Sequence, residues 1–294
     1  MHNILDDLYI RFPDRQYAKY CIFVHGGPGS NCSVFEKLHD EIDCYQRSEI
    51  GWIFYDQRNC GRSRQTKENT THQQNIDDLL ALIHLSEEKY AKQLKGVFGH
   101  SYGSKILLEL LREKPDLDIK ALFAGRANRI PGGASASLLI DGILLRLTNP
   151  EGFRDFYQTF KEDVYFEKFH ALDIRKKFDD MDKRDDLRKM FYWGNLDACE
   201  KITQYKKELN LPDNEEVFEQ VVQSVLAEKK FQQKLDFSEI RQDHLLINGY
   251  WDMLMNGAQH LDQRSDQIHV FAGSGHYPHL EEPKRFVTTC EAFF

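Results

Sequence analysis

The stretch Gly99-His100-Ser101-Tyr102-Gly103 has the spacing G-x-S-x-G. A serine hydroxyl becomes a useful nucleophile only when a neighbouring base takes its proton. Five residues with three small ones also recur as ordinary turns. The remaining chain must therefore supply a base, an acid and donors for an oxyanion. Glycine at positions 99 and 103 lets a strained strand-to-helix turn pack without a Cβ clash, which is what a nucleophile elbow requires. His25-Gly26-Gly27-Pro28-Gly29 follows an apolar run and offers backbone N–H groups that a substrate oxygen can approach closely. Gly27 is the candidate donor there, since Pro28 has no N–H. Tyr102, the residue after the serine, supplies the second through its own N–H.

If the chain order is serine, acid, histidine, the base comes late. His276, in Gly273-Ser274-Gly275-His276, sits in a glycine-rich loop after an apolar run and is the first candidate. His279 is the second, and reads better as a packing or capping residue of the final helix. His244, His260 and His269 fall in predicted strand or helix. Asp252, just past Leu245–Tyr250, is the candidate acid that fixes the histidine tautomer and stabilises its imidazolium form. Asp243 lies at the wrong end of that run, while Asp262 and Asp266 fall on or after the following helix.

These residues need a scaffold that brings them to one edge. Short apolar runs at Tyr20–Val24, Trp52–Tyr55, Gly96–Phe98, Ala121–Ala124, His244–Asn248 and Gln267–Phe271 read as strands covered on both faces. Between them, Thr71-x-x-Gln74 reads as a capping box opening a helix with Ile76, Leu79, Leu80 and Ile83 on one face. Ile106, Leu107, Leu110 and Leu111 form a second stripe that stops before Pro115. A last helix is expected near Glu281-Glu282-Pro283, with acids and a proline in its first turn. Alternation of strands and helices implies a mostly parallel sheet covered on both sides, and ligands bind such sheets at the C-terminal strand ends. From about Asn128 to Ile240 the strand signal fades into charged helical patterns, including Phe178–Met190, Ala198–Leu209 and Glu215–Phe231. That segment reads as a helical insertion over the sheet; a separate helical domain is the other reading.

Bulk properties narrow the class. With 294 residues, 41% hydrophobic and 12% aromatic, the composition is globular. A formal net charge of −8 argues against nucleic acid and anionic membranes as partners. Acids interrupt the first residues where a signal peptide would be apolar, and no run reaches transmembrane length. A cytoplasmic location is the resulting expectation, with the oligomeric state left open. Cys21, Cys32, Cys44, Cys60, Cys199 and Cys290 form no C-x-x-C pair, so reduced thiols and no zinc site are expected.

Together, His25-Gly-Gly-Pro-Gly29, Asp56-Gln-Arg-Asn-Cys-Gly-Arg-Ser63, Gly99–Gly103, Asp252 and Gly275-His276 resemble the proline iminopeptidase-type α/β-hydrolases. The first two motifs carry most of the specificity. The resemblance covers roughly residues 1–127 and 241–294 as an α/β-hydrolase catalytic domain with a mostly parallel central sheet. Residues 128–240 are then a helical cap, inserted after the sixth strand. It implies a Ser101/Asp252/His276 triad, an oxyanion hole from Gly27 and Tyr102, and no metal or organic cofactor. It also makes Asp56, Arg58 and Arg62 a charge network bracing the oxyanion loop. Two departures stand out. His100 occupies a position that is commonly glycine in members releasing N-terminal proline. The family's Trp-x-x-Trp-Glu cap segment, whose glutamate holds the substrate ammonium, corresponds to Tyr192-Trp193-Gly194-Asn195-Leu196-Asp197, with Glu200 a turn onward. The sequence thus points to a serine hydrolase for a short peptide or amide. A small ester or lactone is the alternative substrate, and a non-catalytic binding protein on the same scaffold is the third reading.

Overall fold

The computed structural model describes residues 5–125, 140, 142–165, 187, 189–227, 237–255 and 268–294. Among these residues seven strands form one sheet: β1 (Ile10–Arg11), β2 (Lys19–Val24), β3 (Ile50–Tyr55), β4 (Leu94–His100), β5 (Lys120–Ala124), β6 (His244–Gly249) and β7 (Ile268–Phe271). Their order is β1-β3-β2-β4-β5-β6-β7. Only β1 runs antiparallel, pairing with β3, and every other neighbour is parallel. This is the α/β-hydrolase fold. The two-residue β1 carries no apolar run and was not expected from the sequence. The other six lie where apolar runs predicted them, extended by one or two residues at some ends, and β7 is described from Ile268.

The pleat sorts alternate residues into two cores. On one face, Ile22, Val24, Ile53, Tyr55, Val97, Ala121 and Phe123 pack against helices α3 (His72–Tyr90) and α4 (Tyr102–Glu113). On the other, Phe23, Trp52, Phe54, Phe98, Leu122 and Ile247 meet α1 (Ser33–Glu41), α2 (Asp43–Gln46) and the C-terminal helices. The Thr71 capping box opens α3 as its spacing predicted, with Thr71 Oγ1 accepting from the Gln74 N–H. In α4, Ile106, Leu107, Leu110 and Leu111 are fully buried, each contributing roughly 1.5–3 kcal/mol. That stripe anchors the helix following Ser101 and thereby fixes where the serine stands.

Between β5 and β6 lie α5 (Pro150–Tyr165), α6 (Leu196–Leu209) and α7 (Glu215–Ala227). Among the described residues the helical segment follows β5. The predicted Ala198–Leu209 and Glu215–Phe231 helices correspond to α6 and α7, whereas most of Phe178–Met190 lies outside the described residues. At the C-terminus a short α8 (Pro278–Glu281) precedes α9 (Pro283–Phe293). Pro283 opens α9 as expected, but Glu281 ends α8 and so is not in the first turn of α9. No helix among the described residues is long and apolar enough to cross a membrane. All six cysteines are free.

Candidate active site

Ser101 stands between the end of β4 and the start of α4 with φ +53° and ψ −119°. A side chain in that region is strained and persists only where surrounding contacts impose it. Here the Ser101 N–H donates to the Ala124 carbonyl at 2.9 Å, and Ser104 Oγ donates to the Gly99 carbonyl at 2.7 Å. A Cβ at position 103 would collide with the Val24 carbonyl, and one at position 99 would lie 2.7 Å from the Gly103 carbonyl oxygen. Glycine at 103 lets the turn press against β2, and glycine at 99 lets the strand end pack against the first turn of α4. The sequence placed the strand end at Phe98; two further residues, Gly99 and His100, belong to β4.

Tyr102 is the first residue of α4, so its N–H has no intrahelical acceptor. Its phenol is tied down: His72 Nδ1 lies 2.7 Å from the hydroxyl and Asn75 Nδ2 donates to it at 3.1 Å. Across from it, the loop after β2 brings Gly26 against the serine, since a Cβ there would lie 2.8 Å from Ser101 Cβ. Gly27 follows at φ +123°, a conformation that favours glycine. His25 is buried and holds this loop. Its Nδ1 donates to the Gly26 carbonyl at 2.8 Å and its Nε2 accepts from the Gln57 N–H at 2.9 Å. Burial pushes the His25 pKa down, keeping the ring neutral for that paired role.

The charge cluster below this loop is partly as the sequence suggested. Asp56 is fully buried, and its carboxylate accepts from the Cys32 N–H at 2.8 Å, from the Arg62 N–H at 2.9 Å and from Arg62 Nε at 2.9 Å. Burial pushes its pKa up, but the Arg62 hydrogen bond and the neighbouring positive charges outweigh it, leaving the net value below the ordinary one. Arg62 also pairs with Glu36 at 2.8 Å. Arg58 departs from the expectation of bracing the loop: it reaches Asp78 on α3 at 2.6 Å. The helical segment adds a brace that sequence reasoning missed. The Asn214 N–H donates to the Gly29 carbonyl at 2.7 Å, and Asn214 Nδ2 donates to the Asn59 carbonyl at 2.8 Å.

At the other end of the sheet, β6 and β7 deliver Asp252 and His276 to each other. His276 Nδ1 lies 2.9 Å from Asp252 Oδ2, with both side chains buried. Asp252 is further fixed by the Leu254 N–H, which donates to its Oδ1 at 3.0 Å. A Cβ on Gly249 would run into the Gly275 carbonyl, so glycine permits the two loops to touch. With Nδ1–H donating to Asp252, the lone pair of Nε2 is left available as a base. The His276 backbone is held as well. Its N–H donates to the Tyr192 carbonyl at 2.6 Å, and its carbonyl accepts from His100 Nε2 at 2.8 Å. Burial, then the nearby His279 and His276, push His100 well below the ordinary histidine pKa, so it serves as a neutral Nε2–H donor.

Among the described residues no acid pairs with His279. Its ring lies 5.0–5.6 Å from those of Phe23, Phe35 and Phe98, and its Nδ1 has no hydrogen-bond partner among the described residues. Burial lowers its pKa to about 3. His244 begins β6, and His269 is exposed on β7. Asp243 precedes β6 and offers its carbonyl to the Ala121 N–H. His260, Asp262 and Asp266 lie outside the described residues. Asp197 and Glu200 are both exposed on α6. Next to them, Trp193 stacks on Tyr277 at 4.6 Å, so the Tyr192–Asn195 stretch lies over the histidine loop. Among the described residues no group of three His, Cys, Asp or Glu side chains is placed to hold a metal ion.

The arrangement can therefore present a serine on a strained turn, a carboxylate-paired imidazole and backbone N–H groups at one sheet edge. Among solved structures, a proline iminopeptidase-related protein from Thermus thermophilus is similar in fold. It shares 19% identity over 97% of this chain and 92% of its own, with a TM-score of 0.63. A bromoperoxidase from Bacillus anthracis shares 19% identity over 97% and 94% of the two chains, with a TM-score of 0.61. An esterase from Exiguobacterium antarcticum shares 17% identity over 97% and 94%, with a TM-score of 0.59. At such identities the likeness concerns fold alone. No curated protein matches the chain. A family model, the alpha/beta hydrolase family, matches residues 21–289. With that match spread over nearly the whole sheet and its helices, the chain belongs to the alpha/beta hydrolase family.

Proposed function

We propose that the protein is a serine hydrolase of proline iminopeptidase type, releasing the N-terminal residue of a short peptide or amide. Ser101 attacks the substrate carbonyl while His276 Nε2 takes its proton. Asp252 holds His276 in the required tautomer and stabilises the imidazolium. The N–H groups of Gly27 and Tyr102 receive the charge that develops on the carbonyl oxygen. His276 then passes its proton to the leaving amine, and water clears the acyl-enzyme by the same steps in reverse order. Residues 128–240 act as a cap beneath which the substrate binds. The observation that carries the mechanism is the 2.9 Å pairing of His276 Nδ1 with Asp252 on loops from adjacent strands. The peptide preference is supported by the His25–Gly29 and Asp56–Ser63 motifs, whose side chains form one braced unit.

A second reading is favoured by one observation. Asp197 and Glu200 are exposed, so neither waits in a closed cleft for a substrate ammonium. An ester or lactone needs no such partner. Initial rates on proline p-nitroanilide, its N-acylated form and short p-nitrophenyl esters separate the two. Cleavage of the free-amine anilide but not the blocked one is expected; turnover of esters alone would refute the peptidase. A fluorophosphonate probe should label the wild type and not Ser101→Ala, and an unlabelled wild type would leave only the binding-protein reading.

A further inference from the structure

Glu281 is a carboxylate buried to 5% exposure that makes no ion pair among the described residues, yet its acceptor capacity is used. Its Oε1 accepts from the N–H groups of Gly275 at 2.9 Å and Tyr277 at 3.1 Å, the two residues flanking His276. Its Oε2 accepts from the N–H groups of Gly194 at 2.7 Å and Asn195 at 2.9 Å, in the helical segment. Hydrogen bonds to a charged acceptor are about twice as strong as neutral ones, and a buried charge requires them. The adjacent Glu282 does the same one step earlier. It accepts from the Gly273 N–H at 3.0 Å and from Ser274 Oγ at 2.7 Å.

The two carboxylates take most of the N–H groups of the histidine loop. That loop carries Gly273 and Gly275, residues with wide conformational freedom. Its N–H donors go to Glu282, to the Phe271 carbonyl, to Glu281, to the Tyr192 carbonyl and again to Glu281, in order from Gly273 to Tyr277. The Tyr192–Asn195 backbone lies directly on it: a Cβ on Gly275 would collide with the Tyr192 carbonyl, and one on Gly194 would lie 2.6 Å from the Ser274 carbonyl carbon. Two backbones meeting this closely would leave four N–H donors without acceptors unless a group with several lone pairs sat between them, and a carboxylate supplies them.

We propose that Glu281 is a positioning residue for His276: its carboxylate clamps the histidine loop to the Tyr192–Asn195 segment and thereby sets the imidazole against Asp252 and Ser101. The catalytic part of this inference rests on His276 being the base; the positional part does not. Burial pushes the Glu281 pKa above the ordinary carboxylate value, and the four N–H donors offset that rise only in part.

Glu281→Gln keeps the shape but offers one acceptor oxygen, and its NH2 faces two N–H donors. The measurement is the low-field proton resonance of His276 Nδ1, assigned by its absence from His276→Ala, alongside kcat and KM on the best substrate. The expected result is a shifted or broadened resonance and a kcat lower by about 10²-fold with KM little changed, the scale of a misplaced catalytic group. Glu281→Asp, which retains the charge, should recover part of both. An unaltered resonance and kcat in a Glu281→Gln protein of lower stability would overturn the proposal and leave a purely structural role. Should Glu281→Gln not fold, hydrogen exchange in Glu281→Asp decides. The amides of Gly194, Asn195, Gly275 and Tyr277 must lose protection together, and independent behaviour refutes the clamp. A wild type that shows the resonance but is unlabelled by the fluorophosphonate would refute the hydrolase reading and leave the clamp standing.

Discussion

His279 and His276 lie three residues apart, and their environments assign them opposite duties. His279 is 2% exposed, surrounded by aromatic rings, and its pKa is lowered to about 3 by burial and then by the charge of His276. An unfolded histidine titrates near 6.5. Above that value both states are neutral and the ring costs nothing. As pH falls below 6.5 the unfolded chain takes up a proton that the folded chain refuses, so stability present above 6.5 is lost progressively toward pH 3. At pH 5 the difference spans about 1.5 pH units, or about 2 kcal/mol at 1.36 kcal/mol per unit. Leucine, of similar volume, lacks this proton. Any packing cost of His279→Leu is independent of pH and cancels when each protein is compared with itself. Urea denaturation near pH 8 and pH 5 should therefore show the wild type losing about 2 kcal/mol more than the variant. Equal losses would show that the ring is not held neutral in the aromatic cluster. The same variant should keep its fluorophosphonate labelling. Loss of labelling there, with His276→Ala still labelled, would reverse the roles of the two histidines.

Gly103→Ala tests the elbow. Helix propensity alone favours alanine by about 1 kcal/mol, but its methyl would strike the Val24 carbonyl, and overpacking of this kind costs about 1–3 kcal/mol or more. A lower denaturation midpoint is expected, and a gain in stability would refute the close contact. Asp56→Asn removes a buried charge from Arg62 and should cost about 3–5 kcal/mol at neutral pH. Because the folded Asp56 pKa lies below the ordinary value, that stabilisation is present above about pH 4 and fades as pH falls through the folded value. Denaturation curves of the two proteins should converge in acid, and parallel curves would refute the assignment.

The sheet was legible because six of its strands are continuous apolar runs, a signature that needs no knowledge of partners. Asp252 and His276 could be paired because both follow strands, and adjacent parallel strands end on the same edge. What escaped was long-range. Glu281 and Glu282 look like ordinary acids at a helix start; their actual partners are loop N–H groups and the Ser274 hydroxyl, in part 86 and 87 residues away. Arg58 shares a motif with Arg62, yet the chain turns between them and sends Arg58 to α3. Tyr102 signalled its backbone role by following Ser101, whereas the His72 and Asn75 contacts to its hydroxyl required knowing that α3 packs on α4. Local pattern reports periodicity and turns; it is silent on which buried polar group answers which.

Two of the holds of the helical segment on the sheet edge also bear on protein engineering. Asn214 holds the Gly29 carbonyl, while Tyr192, Gly194 and Asn195 hold the His276 N–H and the Glu281 carboxylate. Excising or swapping that segment would orphan acceptors and donors on both loops at once, and leave a buried anion with half its partners. A hydrolase of this architecture cannot be treated as a finished core wearing an exchangeable lid. A graft intended to alter specificity would have to carry Asn214 and the Tyr192–Asn195 backbone with it.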